Sequence, residues 1–128
     1  MCFRTPRATI ELPQTLRAPE IARRFVTAHV CLAHNLPPID DALLLVSEAT
    51  TNAVLHGDPP IVLAIECAVT TVEIRIGDGN AGRPALSLPG LEDEYGRGIF
   101  LIDVLSDAWG IDRVKPGKEL WFVLRHGP

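Results

Sequence analysis

The sequence predicts an α+β fold, a two-layer α/β sandwich in which three helices cover one face of a mixed, mainly antiparallel sheet. The first indication is that strand patterns occur in consecutive pairs, at residues 61–67 with 72–76 and at 109–114 with 119–125, as antiparallel hairpins require. The second is that helical patterns occupy the stretches around these pairs. With 128 residues, the chain is expected to form one domain around one core.

The N-terminal half is predicted to contain one strand and two helices. Residues 8–12 alternate between polar and apolar side chains and are expected to form the first strand. Pro19 suits the first position of a helix, which is predicted to run to about His34 with an apolar stripe along one side. Two prolines end that helix, and an aspartate can cap the next one, predicted over residues 40–56.

The C-terminal half is predicted to contain four strands and one helix. Residues 61–67 are almost wholly apolar, whereas residues 72–76 alternate, so the second of these strands should have one covered and one open face. Residues 79–97 lack periodicity and are rich in glycine and proline, which indicates a mobile loop long enough to act as a lid. A helix over about residues 97–108 follows, and then the closing hairpin, which turns at residues 115–117.

Composition excludes several classes of protein. A formal net charge of −4 argues against general affinity for nucleic acid or anionic membrane. The three cysteines, Cys2, Cys31 and Cys67, are widely spaced and odd in number, so neither a disulfide framework nor a zinc site is expected, and a reducing cytoplasm is predicted. No apolar run reaches the roughly 18 residues that span a bilayer, and no signal-peptide core is apparent.

The second predicted helix carries an unusual polar face. Because each helical residue turns by about 100°, Asn52 lies about 40° and His56 about 80° from Glu48 around the helix axis. The same arc contains three leucines, Leu44, Leu45 and Leu55, and the opposite side is apolar. A polar cluster ringed by leucines is typical of a small-molecule pocket, although an exposed helix face explains the pattern equally well. His56 is expected to satisfy carbonyls at the helix end rather than to take part in catalysis.

Two glycine-containing loops suggest contacts with a nucleotide. Asp78 ends an alternating strand, where its carboxylate could accept a hydrogen bond from an amine such as that of adenine. Gly96-Arg97-Gly98 precedes a helix, where close backbone approach and free N–H groups favour anions. Taken singly, each loop also fits a plain turn or helix entry. Lys118 follows the turn of the last hairpin and is predicted to be solvated rather than to reach a phosphate.

In order, these segments resemble the GHKL (Bergerat-fold) ATPases, and within them the small bacterial anti-sigma factor/serine-protein kinases. Residues 48–56 resemble the N box, 78–82 the first glycine box, 96–110 the second, and 117–121 the end of these domains. The resemblance covers essentially the whole chain. It implies that residues 1–128 form a single histidine-kinase-like ATP-binding domain with the Bergerat fold.

The resemblance also implies roles for individual residues. Asn52 would ligate Mg²⁺ that bridges the ATP phosphates, Asp78 would bind the adenine amine, and Glu48 would be the general base. The remaining nucleotide contacts would come from His56, Gly82, Gly96, Arg97 and Gly98, under an ATP lid at about residues 83–96. Asn80 stands where the first box normally has its middle glycine, and the third, Gly-Thr-Gly box is absent.

Three functions follow from this resemblance. The first is a serine-protein kinase that phosphorylates an anti-sigma factor antagonist and sequesters a sigma factor in its other partnership. The second is a non-catalytic ATP-dependent switch that changes only its choice of partner. The third is an interaction module without nucleotide. Intact Glu48, Asn52 and Asp78 favour the first, and whether two copies form a homodimer stays open.

Overall fold

The computed structural model describes residues 7–30, 39–80, 94–115 and 117–125, with the side chains of the last helix described from Phe100 onward. The secondary structure elements follow in the order β1 (Ala8–Leu12), α1 (Ala18–His29), α2 (Ile39–His56), β2 (Ile61–Cys67), β3 (Thr71–Asp78), α3 (Glu94–Leu105), β4 (Ala108–Arg113) and β5 (Lys118–Arg125). The α+β fold with three helices and a five-stranded sheet, consistent with a Bergerat-type sandwich, is confirmed.

The sheet has the strand order β1-β2-β3-β5-β4. All four pairings between neighbouring strands in the described part of the chain are antiparallel. The two predicted hairpins, β2–β3 and β4–β5, are therefore confirmed. Because β5 lies between β3 and β4, the end of β3 is placed beside the start of β5, and Asp78 is directly opposite Lys118.

The core lies between the sheet and the helices. Burial alternates along β3, where Val72, Ile74 and Ile76 are buried among less buried neighbours, so the predicted two-faced strand is confirmed. In β5 the buried apolar side chains are those of Phe122 and Leu124. Helices α1 and α2 contribute small and branched apolar residues to this layer, namely Ala18, Ala22, Val26, Ala42, Leu45, Val46, Ala49 and Ala53.

Three predicted helix boundaries are wrong, one in α1 and two in α3. Helix α1 ends at His29 rather than near residue 34, and Val30 is already extended, with φ −70° and ψ 146°. Helix α3 spans Glu94–Leu105, three residues earlier at each end than the predicted 97–108. Its end is explained by hydrogen bonding, because the backbone N–H of Asp107 donates to Val123 in β5, 2.9 Å away, and not to the preceding helical turn. The chain has joined the sheet by that residue.

The helices of the described residues do not include one that is long and apolar enough to cross a membrane.

Candidate functional site

An open pocket lies between the C-terminal half of α2 and the adjoining ends of β3, β4 and β5. Its empty volume is about 420 Å³, part of which is open to solvent. The lining combines aliphatic side chains with a few polar ones: Ala49, Asn52, Ala53, His56, Gly57, Ile76, Asp78, Ile111, Lys118 and Leu120. Three of the predicted site residues, Asn52, His56 and Asp78, are thus brought together from two distant parts of the sequence.

The bottom of the pocket is apolar and is formed by the sheet. Ile76 pairs with Leu120 across β3 and β5, and Leu120 pairs with Ile111 across β5 and β4. These three residues form one cross-strand row on the face that the helices cover. Such a row presents a broad aliphatic surface, which suits a flat aromatic ring better than a strongly hydrated group.

The face of α2 that lines the pocket differs from the face predicted from the sequence. The residues that contact the pocket are Ala49, Asn52, Ala53 and His56, whose 3–4–7 spacing places them on one helix face. That face is centred about 90° around the axis from Glu48. The two alanines leave space beside the Asn52 amide, so the α2 side of the pocket is lined by small side chains.

The predicted ring of leucines around the pocket is wrong. Leu45 is fully buried in the core, and Leu44 and Leu55 are exposed large hydrophobic residues. None of the three lines the pocket. The physical reason is the packing of α2 on the sheet, which turns the alanine face rather than the leucine arc toward the strand ends.

Asn52 is the buried polar group of the α2 wall. It is 6% exposed, and its buried Nδ2 atom has no hydrogen-bond partner among the described residues. A buried amide without a partner costs stability, typically about 1–3 kcal/mol, unless a bound group satisfies it. Rotation about the last side-chain bond exchanges the amide oxygen and nitrogen, so Asn52 can present either atom to the pocket. In either orientation the amide has unused hydrogen-bonding or ligating capacity here.

Asp78 and Lys118 form a buried ion pair at the opposite side of the pocket. Both residues are 9% exposed, and the Lys118 Nζ atom donates to Asp78 Oδ1 at 3.2 Å. The prediction that Lys118 is solvated is wrong. Lys118 is the first residue of β5 and lies on the same face of the strand as Leu120, Phe122 and Leu124. Its side chain therefore points toward the helices. That alternation was readable in the sequence and is the signal that the prediction missed.

Asn80, the residue that departs from the first glycine box, connects the end of β3 to the end of α2. Its backbone N–H donates to Asp78 Oδ1 at 2.7 Å, and its side-chain Nδ2 donates to the backbone oxygen of His56 at 3.3 Å. Its own carbonyl oxygen accepts from Lys118 Nζ at 2.9 Å. The turn after β3 is therefore held by three hydrogen bonds, two of which involve the buried ion pair.

His56 and Gly57 end α2 next to Asp78. The His56 side chain is exposed at the pocket, and its backbone oxygen accepts the Asn80 hydrogen bond. Gly57 packs so closely that an added Cβ would lie 2.6 Å from Asp78 Cγ and 2.7 Å from the Ala53 carbonyl oxygen. Close approach to the carboxylate is thus the reason for a glycine at this position.

Replacing Gly57 by alanine is expected to lower the free energy of unfolding by about 1–3 kcal/mol, because the new methyl group overlaps Asp78 and the helix carbonyl. Urea denaturation measures this. Gly77→Ala is the matched control, since its Cβ would meet its nearest neighbour, the Lys118 carbonyl oxygen, at an ordinary 3.5 Å. Equal unfolding midpoints for the two variants would contradict the close-packing explanation.

The other predicted site residues have different relationships to the pocket. Glu48 is half-buried one helical turn before Asn52 but does not line the pocket. Gly96 is the third residue of α3, within the turn whose N–H groups lack helical partners, whereas Arg97 and Gly98 lie farther into the helix. The predicted helix start at residue 97 is wrong, because α3 begins at Glu94.

Two of the predicted features lie largely outside the described residues. Gly82 is one of them, and so is most of the predicted lid at residues 83–96. The last three lid residues, 94–96, belong to α3 and are helical.

The described residues of the pocket do not supply a complete set of protein ligands for a metal. Among the described residues there is no group of three or more His, Cys, Asp or Glu side chains placed to hold a metal ion. A divalent cation bound at the Asn52 amide would therefore need oxygen ligands from water or from a bound anion, which is the usual arrangement for Mg²⁺ with phosphates.

Comparison with known proteins gives one clear result. A family model described as a histidine kinase-like ATPase domain matches residues 12–124, from the last residue of β1 to the penultimate residue of β5. No curated protein matches the chain. The match includes α2, β3 and α3, which carry the predicted N box and the two glycine boxes, and β5, which carries the resemblance to the end of these domains. Since the family model accounts for most of the chain, the protein belongs to the histidine kinase-like ATPase domain family.

Proposed function

We propose that this protein is an Mg²⁺-ATP-binding regulator that acts as a serine-protein kinase on an anti-sigma factor antagonist. The observation that carries the proposal is the meeting of Asn52 and Asp78, one a buried amide and the other a buried carboxylate, in one open pocket. Family membership supports ATP binding, and the segments that contain the two residues resemble the N box and the first glycine box.

The adenine ring fits the strand side of the pocket. The row of Ile76, Leu120 and Ile111 offers an aliphatic surface to one face of the ring. The Asp78 carboxylate can accept a hydrogen bond from the exocyclic amine, and a carboxylate is a stronger acceptor than a neutral group. Two hydrogen bonds hold the Asp78 side chain in this position, because Asn80 and Lys118 both donate to its Oδ1 atom.

The phosphates fit the α2 side and the start of α3. The Asn52 side chain, with unused capacity in its buried amide, would hold Mg²⁺ together with phosphate oxygens. The ion supplies positive charge that neutralises the phosphates and the charge that develops during transfer. Gly96, in the first turn of α3, would place backbone N–H groups near the phosphate oxygens.

Glu48 is proposed as the general base. In the transfer, a serine hydroxyl oxygen of the acceptor protein bonds to the γ-phosphorus, the bond to the bridging oxygen breaks, and ADP leaves. The hydroxyl proton passes to the Glu48 carboxylate. The acceptor, an anti-sigma factor antagonist, and a sigma factor as second partner are inferred from the resemblance of residues 48–56 and 96–110 to the serine-kinase branch of the family.

One observation favours a second function, a non-catalytic ATP-dependent switch. Glu48 does not line the pocket, although Asn52, one turn later, does. In a switch, nucleotide binding would change affinity for a partner protein, and no phosphoryl group would be transferred. Acceptor phosphorylation separates the two functions directly.

Mg²⁺-ATP is expected to raise the thermal unfolding midpoint of the protein. Ligand at a hundred times its dissociation constant adds about 2.7 kcal/mol, which is on the order of 10 °C for a domain of this size. The shift should require Mg²⁺ and should disappear in Asn52→Ala and Asp78→Asn, each compared with its own ligand-free midpoint. Asp40→Asn, which changes an exposed carboxylate in the first turn of α2, is the matched control and should keep the shift. If millimolar Mg²⁺-ATP leaves the wild-type midpoint unchanged, both the kinase and the switch are wrong.

A further inference from the structure

We propose that Lys118 is a base-recognition residue: its ammonium group donates a hydrogen bond to a ring nitrogen that flanks the 6-amino group of adenine, while Asp78 accepts from that amino group. The inference rests on the proposed function and concerns the same pocket. It assigns to Lys118 a direct contact with the ligand, in addition to its ion pair with Asp78.

The register of the sheet places the two side chains next to each other. Asp78 is the last residue of β3 and Lys118 the first of β5, and they are directly paired across the two strands. Both point to the helix-covered face, and both line the pocket. A ligand edge that reaches Asp78 therefore also reaches the neighbourhood of Lys118.

Hydrogen-bond capacity remains on both groups. The Lys118 ammonium has three N–H donors, and within the described residues two acceptors are found, Asp78 Oδ1 at 3.2 Å and the Asn80 carbonyl oxygen at 2.9 Å. The Asp78 carboxylate accepts both of its hydrogen bonds, from Asn80 N–H and from Lys118, at Oδ1. No described residue donates to Oδ2. One donor and one acceptor are thus left side by side in the pocket.

This pair complements the edge of adenine that carries the 6-amino group. In adenine the 6-amino donor is flanked by ring nitrogen acceptors, N1 on one side and N7 on the other. An acceptor beside a donor on the protein complements a donor beside an acceptor on the base. Guanine and hypoxanthine carry a carbonyl oxygen in place of the amine, which would face the Asp78 carboxylate and be repelled in the same orientation. In this orientation, with the 6-substituent of the base at Asp78, the pair accepts adenine and not a 6-oxo purine.

A simpler role for Lys118 would be to hold and neutralise Asp78 without touching the base. The two roles make different predictions for ATP analogues in which one ring nitrogen is replaced by a C–H group. A residue that only positions Asp78 affects ATP and these analogues equally. A residue that donates to the ring nitrogen makes the protein sensitive to its removal.

The experiment measures dissociation constants of the full chain for Mg²⁺-ATP, Mg²⁺-1-deaza-ATP and Mg²⁺-7-deaza-ATP, with wild-type protein and Lys118→Met. A hydrogen bond from a charged group corresponds to about tenfold or more in affinity. We expect one of the two analogues to bind the wild type about tenfold more weakly than ATP. Lys118→Met should bind that analogue and ATP with the same affinity.

Each other result overturns the inference. If the wild type binds all three nucleotides equally, Lys118 does not contact a ring nitrogen, and this result needs no variant. If the analogue penalty persists in Lys118→Met, another group makes the contact. If the wild type binds no ATP, the proposed function itself fails and the inference with it, so the two failures are distinguishable.

Discussion

Glu48→Gln is expected to slow phosphoryl transfer by about 10²- to 10⁴-fold while leaving Mg²⁺-ATP affinity close to that of the wild type. The amide cannot accept the hydroxyl proton, which removes general base catalysis. Binding should persist because the pocket is lined by Asn52 and Asp78 and not by Glu48. Transfer is measured with ATP labelled at the γ-phosphate, as label in an added acceptor protein, and affinity is measured in parallel by titration.

Glu11→Gln provides the matched control for this substitution. Glu11 is an exposed residue of β1, paired in register with Val62, at the edge of the sheet that is remote from the pocket. It should transfer phosphate at the wild-type rate. Unchanged transfer in Glu48→Gln would show that another group, or no protein group, takes the proton. Absence of transfer in the wild type, together with nucleotide-dependent binding to a partner, would favour the switch.

Asp78→Asn and Lys118→Met are each expected to lower the free energy of unfolding of the ligand-free protein by roughly 3 kcal/mol, and the double variant by much less than the sum. Each single change leaves one charge without its partner at a site where both side chains are at most 11% exposed. The double variant contains neither charge. Urea denaturation of the four proteins gives the coupling between the two residues, expected at about 2 kcal/mol or more.

The pair Glu20 and Arg24 on α1 provides the comparison for this cycle. Its two charged atoms are closer, at 2.9 Å, but the side chains are 51% and 79% exposed. Glu20→Gln and Arg24→Met should therefore show coupling below about 0.5 kcal/mol despite the shorter distance. If both pairs give the same small coupling, solvent screens the Asp78–Lys118 pair, and the pocket is wetter than its burial indicates.

The periodicity of apolar residues predicted the architecture well. Apolar residues recur at every second position in a strand and at every third or fourth position in a helix, because the buried face of each element must be apolar. The alternation in β3 and the apolar run of β2 identified a two-faced strand beside a buried one. Segment 40–56 was predicted as a helix and is found as Ile39–His56. The boundary error at the C-terminal end of α3 arises because a backbone hydrogen bond to another element decides where the helix ends, as Asp107 shows.

The candidate site was predicted in part. Asn52 and Asp78 were expected in one site from the resemblance to the ATPase boxes, and they do share a pocket. The leucine arc and the solvated lysine were wrong. Helical angles place residues relative to one another, but they do not say which arc turns toward the sheet. A turn residue also looks exposed until the phase of the following strand is taken into account.

By itself, the sequence determined the fold class, the order of the elements, and the residue types available for nucleotide chemistry, since these depend on local periodicity and on ordered motifs. Only the tertiary structure decided which of those residues meet. Strand order β3-β5-β4 places Asp78 against Lys118, 40 residues later in the chain, and the packing of α2 turns Asn52 toward them. Contacts between distant segments depend on strand register and helix rotation, and neither quantity is encoded in any one stretch of the chain.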